Sequence, residues 1–434
     1  MSGRDAAPGA RTAGPHVPDL TEGDGDEPAG RQGGTGWVPV DRLLRRHSLR
    51  QSVACYRRHA VAPGRTRWTP GRVAAVGIGA TLRLALLAGL GLGGWLCTRH
   101  FPGLGLVAGL LVCAFAVALW PRRPRVSRYA TAVDAAAAPH LHRLTQRIAA
   151  AVGVAEPHLI HLDDGFHAQA LIWGPLRRRH LVIGIPLLAA LSPEQRVALL
   201  ALHLARFRVT DPATEPLAGG VDTTIDTLDA ALSLGSHGIQ RNIRDTRIIE
   251  ATLGTPRAVA PGTSGLVWVA EMLLIPVTAP LRGLLGALWL LYTITVRPAT
   301  HAAGYAADAV ATTVAGTAAT LDVLDIMISA DAVTTRLGAL ARTRTSPAAW
   351  PAAAADFLAD TERRHRLREA GARRETSAFS TQPPLGLRAM MLASRSPAPA
   401  TQDLDDAASQ GIDAELATYY RKVSRDLAHG ASLT

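Results

Sequence analysis

Two apolar runs, Val73 to Cys97 and Phe101 to Trp120, constrain this chain more than any other feature. Each is long enough to cross a bilayer as a helix, which takes about 20 residues. Only Thr98 to His100 connects them, so they are expected to form a helical hairpin. Arg83 interrupts the first run, but its stem can stay in hydrocarbon while the guanidinium reaches the headgroups. Arginines flank both outer ends. Arg42, Arg45, Arg46, Arg50, Arg57, Arg58, Arg65, Arg67 and Arg72 lie before the hairpin, and Arg122, Arg123, Arg125 and Arg128 after it. The positive-inside rule then puts the N-terminus and everything after Trp120 in the cytoplasm, in a multi-pass protein of the cell membrane.

Composition agrees, with 48% hydrophobic residues. The formal net charge is +11, nearly all from arginine, since Lys422 is the only lysine. No basic stripe interleaved with aromatics accompanies that charge, so the expected partner is membrane lipid and not nucleic acid. Cys55, Cys97 and Cys113 form no CxxC pair, which points away from disulfides and from a structural zinc knuckle. The polar, acidic N-terminus lacks the apolar core of a signal peptide.

In chain order, residues 1–36 read as a disordered tail rich in Gly, Pro, Asp and Ala. Residues 37–72 are a basic juxtamembrane segment, either drawn to anionic lipid or a solvated linker. The hairpin occupies 73–120, and 121–392 form the body. Within it Arg128 to Val152 reads as a helix, with Leu141, Leu144 and Ile148 at helical spacing. His158 to Leu162 is a short strand, and Ala168 to Trp173 with His180 to Ile185 read as a β-hairpin. Thr224 to Leu234 is a weak helix. A second hydrophobic region, 264–296, is broken by Pro276, Pro280 and Arg282 and contains Glu271. It fits a membrane hairpin, a re-entrant pair or one kinked crossing; as a hairpin it brings the total to about four membrane segments. Helices follow at Thr300 to Ala330, Ala332 to Leu340 and Ala352 to Gly371. Residues 393–434 are a tail with one amphipathic helix, whose apolar face carries Ile412, Leu416, Tyr419, Tyr420, Val423 and Leu427. That face suits packing on the body. The expected class is α+β, mostly helical, with a small β-sheet.

One further stretch organises the body. Leu191 to Phe207 reads LSPEQRVALLALHLARF and opens as a helix start. Ser192 can cap, Pro193 suits the first position, and Gln195 sits where a capping box wants Glu or Gln. The stretch aligns without a gap to LSxxELxAVLAHELGHF, the metal-binding helix of the HtpX-like membrane zinc metallopeptidases, relatives of the CAAX prenyl endopeptidases. Further segments resemble that family in the same order. Gln169 to Gly174 resembles NAFAxG, Leu181 to Leu191 resembles VVVTxGLLxxL, and the hydrophobic pair before Arg297 resembles an inserted membrane hairpin. Ala303 to Asp308 resembles REYEAD, and Ser380 to Arg388 resembles STHPPxxxR. The likeness covers roughly residues 71 to 392 and implies a membrane-embedded, zincin-like peptidase scaffold.

In such enzymes two histidines of HEXXH bind zinc, the Glu between them activates a water, and a later carboxylate completes the site. The corresponding positions here are degenerate. The two ligand positions hold Leu202 and Arg206, the base position His203, the third-ligand position Gly304, and the STHP histidine position Gln382. Leucine has no donor atom, and a guanidinium repels a metal cation. Asp308, which in the family would orient the first zinc histidine, finds Leu202 at its partner's position. Arg206 is then either a solvated charge at the lip of a cleft or the partner of Asp308. His203 is either a packed histidine or, with His301, a weak candidate for a rebuilt metal site; His161, His167 and His237 are the other histidines considered.

No cofactor is therefore expected, zinc being that of the family. The reading is a pseudoprotease that binds a membrane-protein segment or a partner protease. An extended peptide would lie along the edge strand Gln169, Ala170, Leu171, Ile172 and Trp173. The alternatives are an active zinc endopeptidase with non-standard ligands and a structural membrane anchor.

Overall fold

The computed structural model describes residues 50–58, 70–99, 103–119, 130–173, 178–209, 298–374 and 382–429, with 291 and 295. The chain divides into two units. One comprises Met1–Arg67, Arg125–Asp211 and Pro298–Thr434; the other comprises Trp68–Pro124 and Pro212–Arg297.

The described part of the second unit is a helical hairpin. A helix at 50–58, termed α1, belongs to the first unit; the hairpin is α2 (Pro70–Arg99) and α3 (Leu104–Leu119). The two pack antiparallel and closely, because glycines face each other. A Cβ on Gly93 would come within 2.9 Å of the Gly109 carbonyl, and one on Gly109 within 2.6 Å of the Gly93 carbonyl. Small residues at such crossings let helices approach where no water drives them together. Leu84, Leu87, Leu92 and Trp95 of α2, and Val107, Leu110, Leu111, Phe115 and Val117 of α3, point outward.

Within α2, Val76–Arg99 is long and apolar enough to cross a membrane, with mean hydropathy 1.6 over its apolar window. It is the one such helix among the described residues. This corrects the expectation of about four membrane segments: α3 has only 16 residues, and 264–296 lies outside the described residues except for 291 and 295. The weak helix expected at 224–234, and the tail at 1–36, also lie outside them.

The first unit is α+β and mostly helical. After α1 come β1 (Thr131–Val133), α4 (Pro139–Val152), β2 (Leu159–Asp163), β3 (Ala168–Trp173), β4 (Arg178–Gly184), α5 (Ile185–Ala189) and α6 (Pro193–Val209). Helix α7 spans 298–315. Then follow α8 (Thr317–Ile328), α9 (Ala330–Arg342), α10 (Trp350–Ala359), α11 (Thr361–Arg374), α12 (Leu385–Ala393) and α13 (Asp406–Ala428).

The sheet order is β1-β2-β4-β3. The expected hairpin forms, with Ala168 opposite Ile183 and Trp173 opposite Arg178. Strand β4 is nevertheless central, because β2 pairs with it in parallel and β1 pairs antiparallel on the outside of β2. Alternation buries Ile160, Leu162, Leu181 and Ile183 on one face. Helices α4 and α6 pack against each other, and α6 also packs on β3 and α8.

The start of α6 follows the capping-box logic. Ser192 N–H donates to Gln195 Oε1 at 3.0 Å, and Gln195 N–H donates to Ser192 Oγ at 3.4 Å. Every residue from Arg196 to Ala205 is buried, as befits a helix at the centre of a core. The C-terminal helix α13 packs into that core by its apolar face. Ile412, Leu416, Tyr420, Val423 and Leu427 join it. Glu415 accepts the backbone N–H groups of His140 and Leu141 at 2.6 and 3.2 Å, capping the start of α4 from across the fold.

Candidate functional site

The site lies where α6, α7, β3 and the start of α12 meet. All five degenerate positions are described, and each has a structural occupant. Leu202 is 1% exposed and belongs to the hydrophobic core. His203, 5% exposed, holds its Nδ1 2.8 Å from the carbonyl of Leu199 one turn back. A carbonyl can only accept, so Nδ1 carries the proton. Burial lowers the His203 pKa to about 4, and the cations Arg206 and Arg388 push the same way; the carbonyls of Leu199 and Ala168 oppose them. Imidazole is therefore neutral here at neutral pH.

Arg206 reaches away from Asp308. Its Nη1 donates to Oε1 of Gln382 at 3.1 Å, at the solvent side of the site. Asp308 is 1% exposed and bound instead by Arg388 of α12, through Nη2 at 2.6 Å and Nε at 2.8 Å. Of the two readings of Arg206, the solvent-side contact with Gln382 fits the charge at the lip, and Asp308 is held by Arg388 instead. The fork of a guanidinium matches both carboxylate oxygens at once, and Arg388 enters from α12 with that geometry. Arg388 is the last residue of the STHPPxxxR-like segment, so the signal for this partner was in the motif already.

Position 304 has little room for a side chain. A Cβ there would stand 2.7 Å from Cγ and 2.9 Å from Cδ of Pro383. The ring of Pro383, itself buried, takes the space in which a longer side chain would begin. Zinc does not fit these residues. Leu202 offers no donor, Arg206 is a cation bonded to the Gln382 carbonyl, and position 304 is closed by proline. Among the described residues no three His, Cys, Asp or Glu side chains converge as a metal-binding group, so neither His203 nor His301 sits in one. His301 is buried on α7.

The other histidines considered lie elsewhere. His161 Nε2 and His180 Nδ1 are 3.0 Å apart across β2 and β4, and burial lowers both pKa values. His167 lies 3.3 Å from Asp163. His237 is outside the described residues.

Strand β3 forms one side of the site and, among the described residues, ends the sheet. Gly184 N–H donates to the His167 carbonyl at 2.7 Å, which marks His167 and Gly184 as a hydrogen-bonded pair. Alternation along an antiparallel ladder then turns Gln169 and Leu171 towards β4 and the backbone groups of Ala170 and Ile172 away from it. Gln169 is exposed, while Ala170, Leu171 and Ile172 are half-buried.

Comparison of the chain with protein-family models, with curated proteins and with solved structures finds no match.

Proposed function

We propose that this protein is a membrane-anchored, HtpX-like peptidase scaffold whose catalytic centre has been replaced by structural contacts, and that it binds extended peptide without cleaving it. The observation that carries the reading is the joint filling of the site. Pro383 closes position 304, Arg388 holds Asp308, Gln382 holds Arg206, and Leu202 sits in the core. Loss of one ligand leaves the others in place; here each position has a new packing or hydrogen-bonding task.

The binding half of the proposal rests on β3. An extended chain can add to this strand through backbone hydrogen bonds to Ala170 and Ile172, without catalysis. The occupant would be a membrane-protein segment or a partner protease. The outward apolar faces of α2 and α3 support a membrane anchor, and the flanking arginines favour a placement with the first unit in the cytoplasm.

Fluorescent β-casein, an extended polypeptide, tests the reading. The full-length protein in detergent should bind it and leave it intact. Ala170→Pro removes an outward N–H without taking a bond from the β3–β4 ladder, and should weaken binding at least about tenfold. Equal binding by that variant would refute the edge-strand site. Cleavage abolished by chelator would instead establish an active zinc endopeptidase.

A further inference from the structure

Helix α1 has two chemically opposite faces. Ser52, Cys55 and Tyr56 are buried. Cys55 and Tyr56 pack with Tyr305 of α7, Ala372 of α11, and Leu387 and Met391 of α12, and Tyr56 is hydrogen-bonded to Ser394. The opposite face exposes Arg50, Ala54, Arg57 and Arg58, at the i, i+4, i+7, i+8 spacing of one helical stripe. No carboxylate pairs with these arginines among the described residues. The chain offers none nearby in sequence either, since Arg42 to Val133 contains no Asp or Glu.

The position of α1 in the chain narrows the partner. Helix α2 begins 12 residues after Arg58. The Cys55 thiol lies 3.8 Å from the carbonyl of Pro298, which directly follows the second hydrophobic region and Arg297. Along the chain α1 thus shortly precedes α2, and in the fold it contacts the residue that follows the second hydrophobic region. A docked helix with a cationic stripe that no described carboxylate pairs, close in sequence to a helix apolar enough to span a membrane and free of acidic residues, matches an anionic phospholipid surface by charge complementarity.

We infer that the Arg50, Arg57 and Arg58 face of α1 rests on anionic phospholipid headgroups and fixes the first unit against the bilayer surface. The inference rests on the membrane placement proposed above. Each basic residue near an anionic leaflet favours occupancy roughly fivefold, so three together favour it by about 100-fold. High salt weakens the attraction.

Hydrogen exchange of the 50–58 backbone, in the full-length protein reconstituted into nanodiscs, tests this. Exchange should be at least about tenfold slower in discs containing phosphatidylglycerol than in discs of phosphatidylcholine alone. The difference should vanish in the triple variant R50Q/R57Q/R58Q, which leaves Cys55 and Tyr56 in place. Equal exchange of the native protein in both discs would overturn the inference, as would a lipid-dependent slowing that survives in the triple variant. Alkaline carbonate extraction keeps the two proposals apart. Release of the chain from membranes contradicts the membrane placement itself, whereas retention with lipid-independent exchange contradicts the α1 contact alone.

Discussion

Arg206 and Arg388 share a charge and a site, and differ in what they hold. Arg388 neutralises a buried carboxylate, so its removal leaves Asp308 charged and desolvated. Arg388→Met should cost about 3–5 kcal/mol of stability. Arg206 meets a neutral amide at the solvent side, and Arg206→Ala should cost no more than about 1 kcal/mol. Unfolding midpoints of the two variants check the contrast, and equal losses would contradict it. His203 adds a pH dependence. Its folded pKa of about 4 lies below the unfolded value near 6.5, so the unfolded chain binds more protons between the two. Its contribution is complete above the upper value and is lost as pH falls towards the lower. The loss should reach on the order of 3 kcal/mol by pH 4, and His203→Leu should flatten that slope. An unchanged slope would show that His203 does not titrate as its burial requires. At this scale the grouping of Leu202, His203 and Arg206 was legible because one helix carries all three, whereas the approach of Gly304 to Pro383 and of Gln382 to Arg206 depends on the tertiary fold. The sequence could not choose the partner of Asp308, because Arg206 and Arg388 are equal in charge and only the entry of α12 decides between them.

The elements show a similar division. Strand β3 and its hairpin were legible, since a turn between two apolar stretches carries its own local signal. Strand β1 was not, because Thr131–Val133 has three residues and gains its strand character from pairing with β2. The parallel pairing of β2 with β4 was equally hidden, since it joins segments on either side of β3. The consequence is functional. With β4 central, β3 is the strand left at the edge among the described residues, and Ala170 and Ile172 acquire outward backbone groups. Ala170→Pro should therefore separate binding from stability, weakening casein binding while shifting the unfolding midpoint little. A variant that loses both would place Ala170 in the ladder with β4 and contradict the assigned alternation.

At the scale of the molecule, one chain combines a helical hairpin, of which α2 is long and apolar enough to cross a membrane, with an α+β body. Two features help tie the body together: the Arg388–Asp308 pair between α12 and α7, and the core contacts of α13. The C-terminal helix was legible as amphipathic, and its place in the core followed from its apolar face. Its Glu415 cap on α4 was not, because those residues are far apart in sequence. The central claim is that this arrangement has no place for zinc. Elemental analysis of the full-length protein, purified without chelator and dialysed into zinc-containing buffer, tests it most directly. The account predicts zinc far below one equivalent per chain and an unfolding midpoint that chelator does not move. About one zinc per chain, with a midpoint lowered by chelator, would contradict it.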